Sequence, residues 1–145
     1  MGSEMCIRDS VSCYPVTACT VAGLSAQPPC YWNVSTLAGN GAAGSANGIG
    51  TAASFNFPRG IVSAADGRIY VGDEQSNALR VISSVASVTT LSSSFSGHPM
   101  GVSIDLSGVA YVAEQHAHVI RKVTPSGTTT VFLGSGVSGL SLIHI

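Results

Sequence analysis

The chain has 145 residues, 45% of them hydrophobic and only 9% charged, with a formal net charge of −1. That length fits one domain or part of one. No cluster of positive charge is available for a nucleic-acid backbone or an anionic membrane surface, and no apolar run approaches the ~18 residues of a spanning helix.

Both ends read as sequencing scars and not as protein design. Glu4-Met5-Cys6-Ile7-Arg8-Asp9-Ser10 translates GAG ATG TGT ATA AGA GAC AGN. The reverse complement, CTG TCT CTT ATA CAC ATC, reads Leu-Ser-Leu-Ile-His-Ile, the stretch Leu140 to Ile145. Residues 1–10 and 140–145 are therefore expected to derive from an adapter, with a native segment of 11–139 whose natural ends are missing. Inside it, Arg59, Arg68, Arg80, Arg121 and Lys122 balance Asp66, Asp73, Glu74, Asp105 and Glu114.

Residues 11–32 hold Cys13, Cys19 and Cys30 among prolines. An odd set of this kind suggests an extracellular disulfide module cut so that one partner is lost. The spacing is not that of a zinc site. Asn33-Val34-Ser35 is a glycosylation acceptor sequence. Both features point to an extracellular or cell-surface protein.

From residue 33 to 139 the chain is expected to fold as repeated small sheets. Val34-Ser35-Thr36-Leu37 reads as the last strand of one sheet. Gly39-Asn40-Gly41-Ala42-Ala43-Gly44 then spells G-x-G-x-x-G. That spacing cradles a pyrophosphate only where a helix follows. Asn47-Gly48-Ile49-Gly50 opposes a helix, since each glycine costs about 1 kcal/mol there. The stretch reads instead as a long flexible connection: Leu37 stands 21 positions before Pro58, whereas its counterpart Leu91 stands 8 before Pro99. Long loops are where a rigid scaffold carries its contacts.

Four short strands follow, at about Gly60–Ala64, Arg68–Gly72, Ala78–Ile82 and Ser87–Leu91. Ala65-Asp66-Gly67 marks the first turn, because Asp and Gly tolerate positive φ. A shift of 41 residues superimposes the sequence on itself. Pro58-Arg59-Gly60-Ile61 falls on Pro99-Met100-Gly101-Val102, Tyr70-Val71 on Tyr111-Val112, Asp73 on Glu114, Arg80 on Arg121, and Leu91 on Phe132. The strands are apolar on both faces, as expected of sheets covered on both sides. Four antiparallel strands about every 40 residues is the period of a propeller blade. The expected fold is all-β: an incomplete β-propeller holding the last strand of one blade plus two blades. Two blades cannot close a ring, so the chain is read as a fragment whose remaining blades lie elsewhere.

The stretches Ser35–Ile61 ("STLAGNG…GIGTAASFNFPRGI"), Ile69–Ile82 ("IYVGDEQSNALRVI") and Tyr111–Val123 ("YVAEQHAHVIRKV") resemble the NHL-repeat family. The resemblance runs from about Val34 to Leu133. Ser76 and Ala117 depart from it, standing where the family usually has Asn. It implies a β-propeller, commonly six-bladed, that binds proteins, RNA or small molecules. A minority of members, such as peptide-amidating lyases, are enzymes using zinc-bound histidines.

His116 and His118 lie two apart and point to one side of an extended chain, and His98 begins the same blade. Three imidazoles can hold zinc, but the first blade has Gln75 and Asn77 at the matching positions, which favours polar loop histidines and no metal site. The recurring pairs Asp73–Arg80 and Glu114–Arg121 read as structure, because a catalytic site is normally single. They are expected to brace the turn between the second and third strands as exposed pairs worth ~0–1 kcal/mol. The long Asn40–Phe57 connection is the preferred contact region, and Arg59 with Phe57 offers an anchor of the aromatic and arginine kind enriched at hot spots; packing between blades is nevertheless the favoured reading of Phe55 and Phe57. No G-x-S-x-G elbow or H-E-x-x-H pair is present.

These residues imply a non-catalytic module, without cofactor, that presents loops to a protein or glycan partner. Asn40, Asn47, Arg59, His98, His116 and His118 are the candidate contact residues. The alternatives are a metal-dependent lyase or hydrolase of the propeller type and, against the balanced charge, an RNA-binding module.

Overall fold

The computed structural model of the chain describes residues 34–139. The adapter-like ends, Cys13, Cys19, Cys30 and Asn33 lie outside the described residues. The remainder forms two antiparallel sheets. The first holds β1 (Gly48–Ile49), β2 (Pro58–Ser63), β3 (Ile69–Asp73), β4 (Ala78–Ile82) and β5 (Ser87–Ser92), in the order β1-β5-β4-β3-β2. The second holds β6 (Pro99–Ile104), β7 (Ala110–Glu114), β8 (Val119–Val123) and β9 (Thr129–Leu133), in sequential order. A single 3₁₀ turn, Gly50–Ala52, follows β1. Among the described residues no helix is long and apolar enough to cross a membrane. The fold is all-β, an incomplete β-propeller of two blades.

The 41-residue repeat extends to the backbone. Pro58 pairs with Asp73 and Pro99 with Glu114, and a bulge follows each pair. A second bulge interrupts Leu79/Arg80 and Ile120/Arg121. Phe57 and His98 occupy the left-handed region at φ 58° and 61°, as do Asn77 and His118 at 47° and 54°. This conformation strains ordinary residues, and its recurrence at matching positions makes it a property of the repeat. At Phe57 and His98 it presents the backbone carbonyl to Glu74 N–H and Gln115 N–H, at 3.2 Å in both blades.

The turns form as their residues require. Gly67 and Gly108 adopt φ 81° and 82°, and their N–H groups donate to the carbonyls of Ala64 and Asp105 at 3.0 Å. Asp105 Oδ1 accepts from Ser107 Oγ, Ser107 N–H and Val109 N–H. These bonds, the Ser107 hydroxyl first, hold its carboxyl below the ordinary carboxylate range.

The blades stack face to face. Tyr70, Leu79 and Val81 of the first pack with Ala110, Val112 and Val123 of the second around Phe95. The approach is closest at Gly60 and Gly127, where a Cβ would overlap the Met100 and Leu91 carbonyl oxygens; at Gly72 it would lie 3.1 Å from the Pro99 carbonyl oxygen. At the outer strands Ser92 Oγ and Thr129 Oγ1 share a 2.7 Å hydrogen bond.

The other face of the first blade is also covered. Val71, Ile82 and Val88 pack with Ala53, Ala38 and Phe55. The segment 38–55 thus occupies the side that the first blade occupies on the second. It also adds β1 as a fifth strand, pairing Gly48 with Val88. Two expectations are corrected here. Val34–Leu37 forms no strand, because it has no ladder partner among the described residues. The long connection is not a loose loop but a packed cover.

Gly60 stands at a close approach between the blades. Gly60→Ala is expected to cost about 1–3 kcal/mol through overpacking, measured by denaturant unfolding. Gly101→Ala, at the matching position of the second blade, meets only Ala113 Cβ at 3.8 Å and should be near neutral. Asp105 gives a pH prediction. A carboxyl depressed in the folded state stabilises above its unfolded pKa, and that contribution is lost as pH falls through the folded value. Asp105→Asn should therefore lower stability at neutral pH without changing the pH slope there, and flatten the acid limb of a stability–pH curve followed by denaturant unfolding.

Candidate functional site

The cover segment is held by one arginine. Arg80 and Asp73 are both 0% exposed and pair at 3.2 Å. Arg80 Nη1 also donates to the Ser54 carbonyl at 3.1 Å. Its Nη2 donates to the Ala46 carbonyl at 2.9 Å and to Asn47 Oδ1 at 2.8 Å. The guanidinium lies 5.3 Å from the centre of the Phe55 ring, within cation–π range. Only Nε lacks a partner. Asp73 Oδ1 accepts from Asn56 N–H at 2.7 Å. The expectation of an exposed pair bracing the β3–β4 turn is corrected: the pair is buried and ties the preceding segment to the blade. In the second blade Arg121 Nε donates to Glu114. Glu114 Oε1 accepts from Ser96 and Gly97 N–H at 2.6 and 2.7 Å. The connection there is too short to reach Arg121.

Pinned in this way, the segment walls an open cleft of about 810 Å³, lined chiefly by Ala38, Asn40, Ala43, Thr51, Phe55 and Phe57. The two phenylalanines differ. Phe55 packs against the core as expected. Phe57 does not: it is 62% exposed at the cleft rim, whereas His98, in the same left-handed conformation at the matching position, lies against Glu74 of the other blade. No helix follows the G-x-G-x-x-G stretch, only the 3₁₀ turn, so the phosphate-cradle geometry is not built.

The remaining candidates divide. Asn40 lines the cleft, and its Oδ1 accepts from Ala42 N–H at 3.0 Å. Asn47 is committed to Arg80, and its Oδ1 lies 3.2 Å from Thr90 Oγ1. Arg59 and His98 meet at Glu74, with Arg59 Nε 2.5 Å from Oε2 and His98 Nδ1 3.4 Å from Oε1. The His116 ring stands edge-on to that of His98, with centroids 4.5 Å apart. His118 is elsewhere, in a small depression with Glu114 and Leu133. The three histidines therefore do not converge, and no group of three or more His, Cys, Asp or Glu with metal-binding geometry occurs among the described residues. Sequence reasoning missed Glu74. Its signal was a carboxylate at a position where the second blade has the neutral Gln115.

No protein-family model matches the chain, and no curated protein matches it. Solved structures do. A protein of unknown function from Bacteroides thetaiotaomicron matches at TM-score 0.55 and 18% identity, over 67% of this chain and 25% of that one. A streptogramin B lyase matches at TM-score 0.49 and 20% identity, and virginiamycin B lyase from Staphylococcus aureus at 0.45 and 19%, each over 52% of this chain and 26% of the other. The chain thus spans about a quarter of the length of these structures. The first likeness concerns fold alone, and the two lyases, below 0.5, carry no argument about activity.

Removing Arg80 should strand a buried carboxylate and free the cover. Arg80→Ala is expected to cost about 3–5 kcal/mol and to expose residues 40–57 to limited proteolysis. Arg121→Ala should cost less and leave that segment protected.

Proposed function

We propose that the chain is a non-catalytic binding module of the NHL-repeat propeller type, presenting the cleft beside Phe57 to a protein or glycan partner. One observation carries this reading. Phe57 is a large aromatic exposed at the rim of a mostly apolar cleft, with the Asn40 amide on the wall. Aromatic anchors beside a few polar groups are the recurring chemistry of recognition surfaces. Arg59 lies two residues along, half-exposed and oriented by Glu74. The cysteines of residues 11–32 and the Asn33 acceptor sequence support an extracellular setting for such a module. The balanced charge within residues 11–139 weighs against an RNA partner.

A second reading is a metal-dependent lyase or hydrolase. The observation behind it is that His98 lies beside both His116 and Glu74, although the three do not form a metal-binding group.

Binding to an oligosaccharide array and to a panel of extracellular ectodomains tests the first reading. Phe57→Ala should lower affinity at least about tenfold while leaving the unfolding midpoint within experimental spread. Stoichiometric zinc, lost on His98→Ala or His116→Ala, would transfer support to the enzyme.

A further inference from the structure

The stacking of the first blade on the second defines what a blade face of this repeat requires, and the second blade carries the same face uncovered. Moving 41 positions along the chain takes Tyr70 to Tyr111, Leu79 to Ile120 and Leu91 to Phe132. The first member of each pair belongs to the interblade core. Of the second members, Ile120 and Phe132 are 37% and 50% exposed, beside Leu133 at 48%. The Tyr111 and Phe132 rings already stack edge to face at 5.1 Å. A contiguous apolar patch of this kind marks a docking surface.

We propose that this face docks a further four-stranded sheet of the same repeat, one that places a carboxylate opposite Lys122. The occupant's form is given by the interface already present, in which such a sheet covers the equivalent face with Ala110, Val112 and Val123. Its chemistry is given by what changes between the two faces. Buried Val81 becomes Lys122, which pairs with Tyr111 across the ladder and makes no ion pair among the described residues. An ammonium group enclosed by a docked sheet requires an opposite charge. Gly72 becomes Ala113, so the incoming backbone stands slightly farther off than Pro99 does from Gly72.

Two alternatives fit less well. A second copy using the same face would add a second Lys122 and no free carboxylate. Asp105, which borders the face, is occupied by Ser107, Val109 and Tyr111. A second copy docking through its first blade would find Val71, Ile82 and Val88 already under Ala38, Ala53 and Phe55. The proposal rests on the blade architecture and not on the binding reading of the cleft, so either can fail without the other.

The test is to join a second copy of residues 93–139 after Gly139 and follow amide exchange in β7 and β8. With Lys122→Val in the preceding blade, the added sheet should slow exchange there at least about tenfold relative to the unextended chain. With Lys122 retained, the slowing should appear only when Glu replaces one of the added copy's counterparts of Ala110, Val112 or Val123. That Glu should lose its effect against Lys122→Val. If no added sheet slows exchange in either background, the proposal is wrong. It is equally wrong if the unextended chain sediments as a dimer that Phe132→Lys dissociates, since the face would then belong to a second copy.

Discussion

One carboxylate per blade ties each sheet to the segment that leads into it. Asp73 and Glu114 sit at the same repeat position, at the end of the second strand, with their side chains buried. Each accepts backbone N–H groups from the residues just before the blade's first strand, and each is neutralised by the arginine seven residues on. A buried carboxylate without such partners would be strongly unfavourable. The requirement fixes the entry of the chain into the blade.

The same device gives different results in the two blades because the connections differ in length. The short link before β6 reaches Glu114 and goes no further. The long link before β2 wraps over the first blade, supplies two carbonyls and the Asn47 amide to Arg80, and contributes a short fifth strand. Arg80 therefore holds together a cover, a core cluster and the wall of the cleft. The binding surface proposed here is a by-product of that wrapping. Phe57 is exposed at its rim, at the left-handed position where the second blade has the largely covered His98.

Much of the architecture was legible in the sequence. The 41-residue repeat located every strand from β2 to β9 to within about two residues, since bulges, turns and apolar positions recur together. The rest depended on contacts between segments far apart in sequence, which a repeat cannot encode. Val34–Leu37 has the composition of a strand but no ladder partner among the described residues. The glycine-rich stretch gave no sign that Arg80 would anchor it, because one arginine looks like another until a loop is long enough to reach it. Phe55 and Phe57 share a spacing that suggests a common face, yet Phe55 packs against the first blade and Phe57 is exposed. His98 and His116 come together across the start of the second blade, while His118, two residues on, faces away. Glu74, which organises Arg59 and His98, was hidden beside the more conspicuous Asp73.

The central claim is that two four-stranded sheets of this chain stack face to face through Tyr70 and its repeat-related neighbours. Nuclear Overhauser effects in the full chain test it most directly. Cross-peaks between the Tyr70 ring and at least one of the Val102, Ala110 and Val112 methyl groups are the predicted result. Strand pairing within each blade with no cross-peak between the two would contradict it.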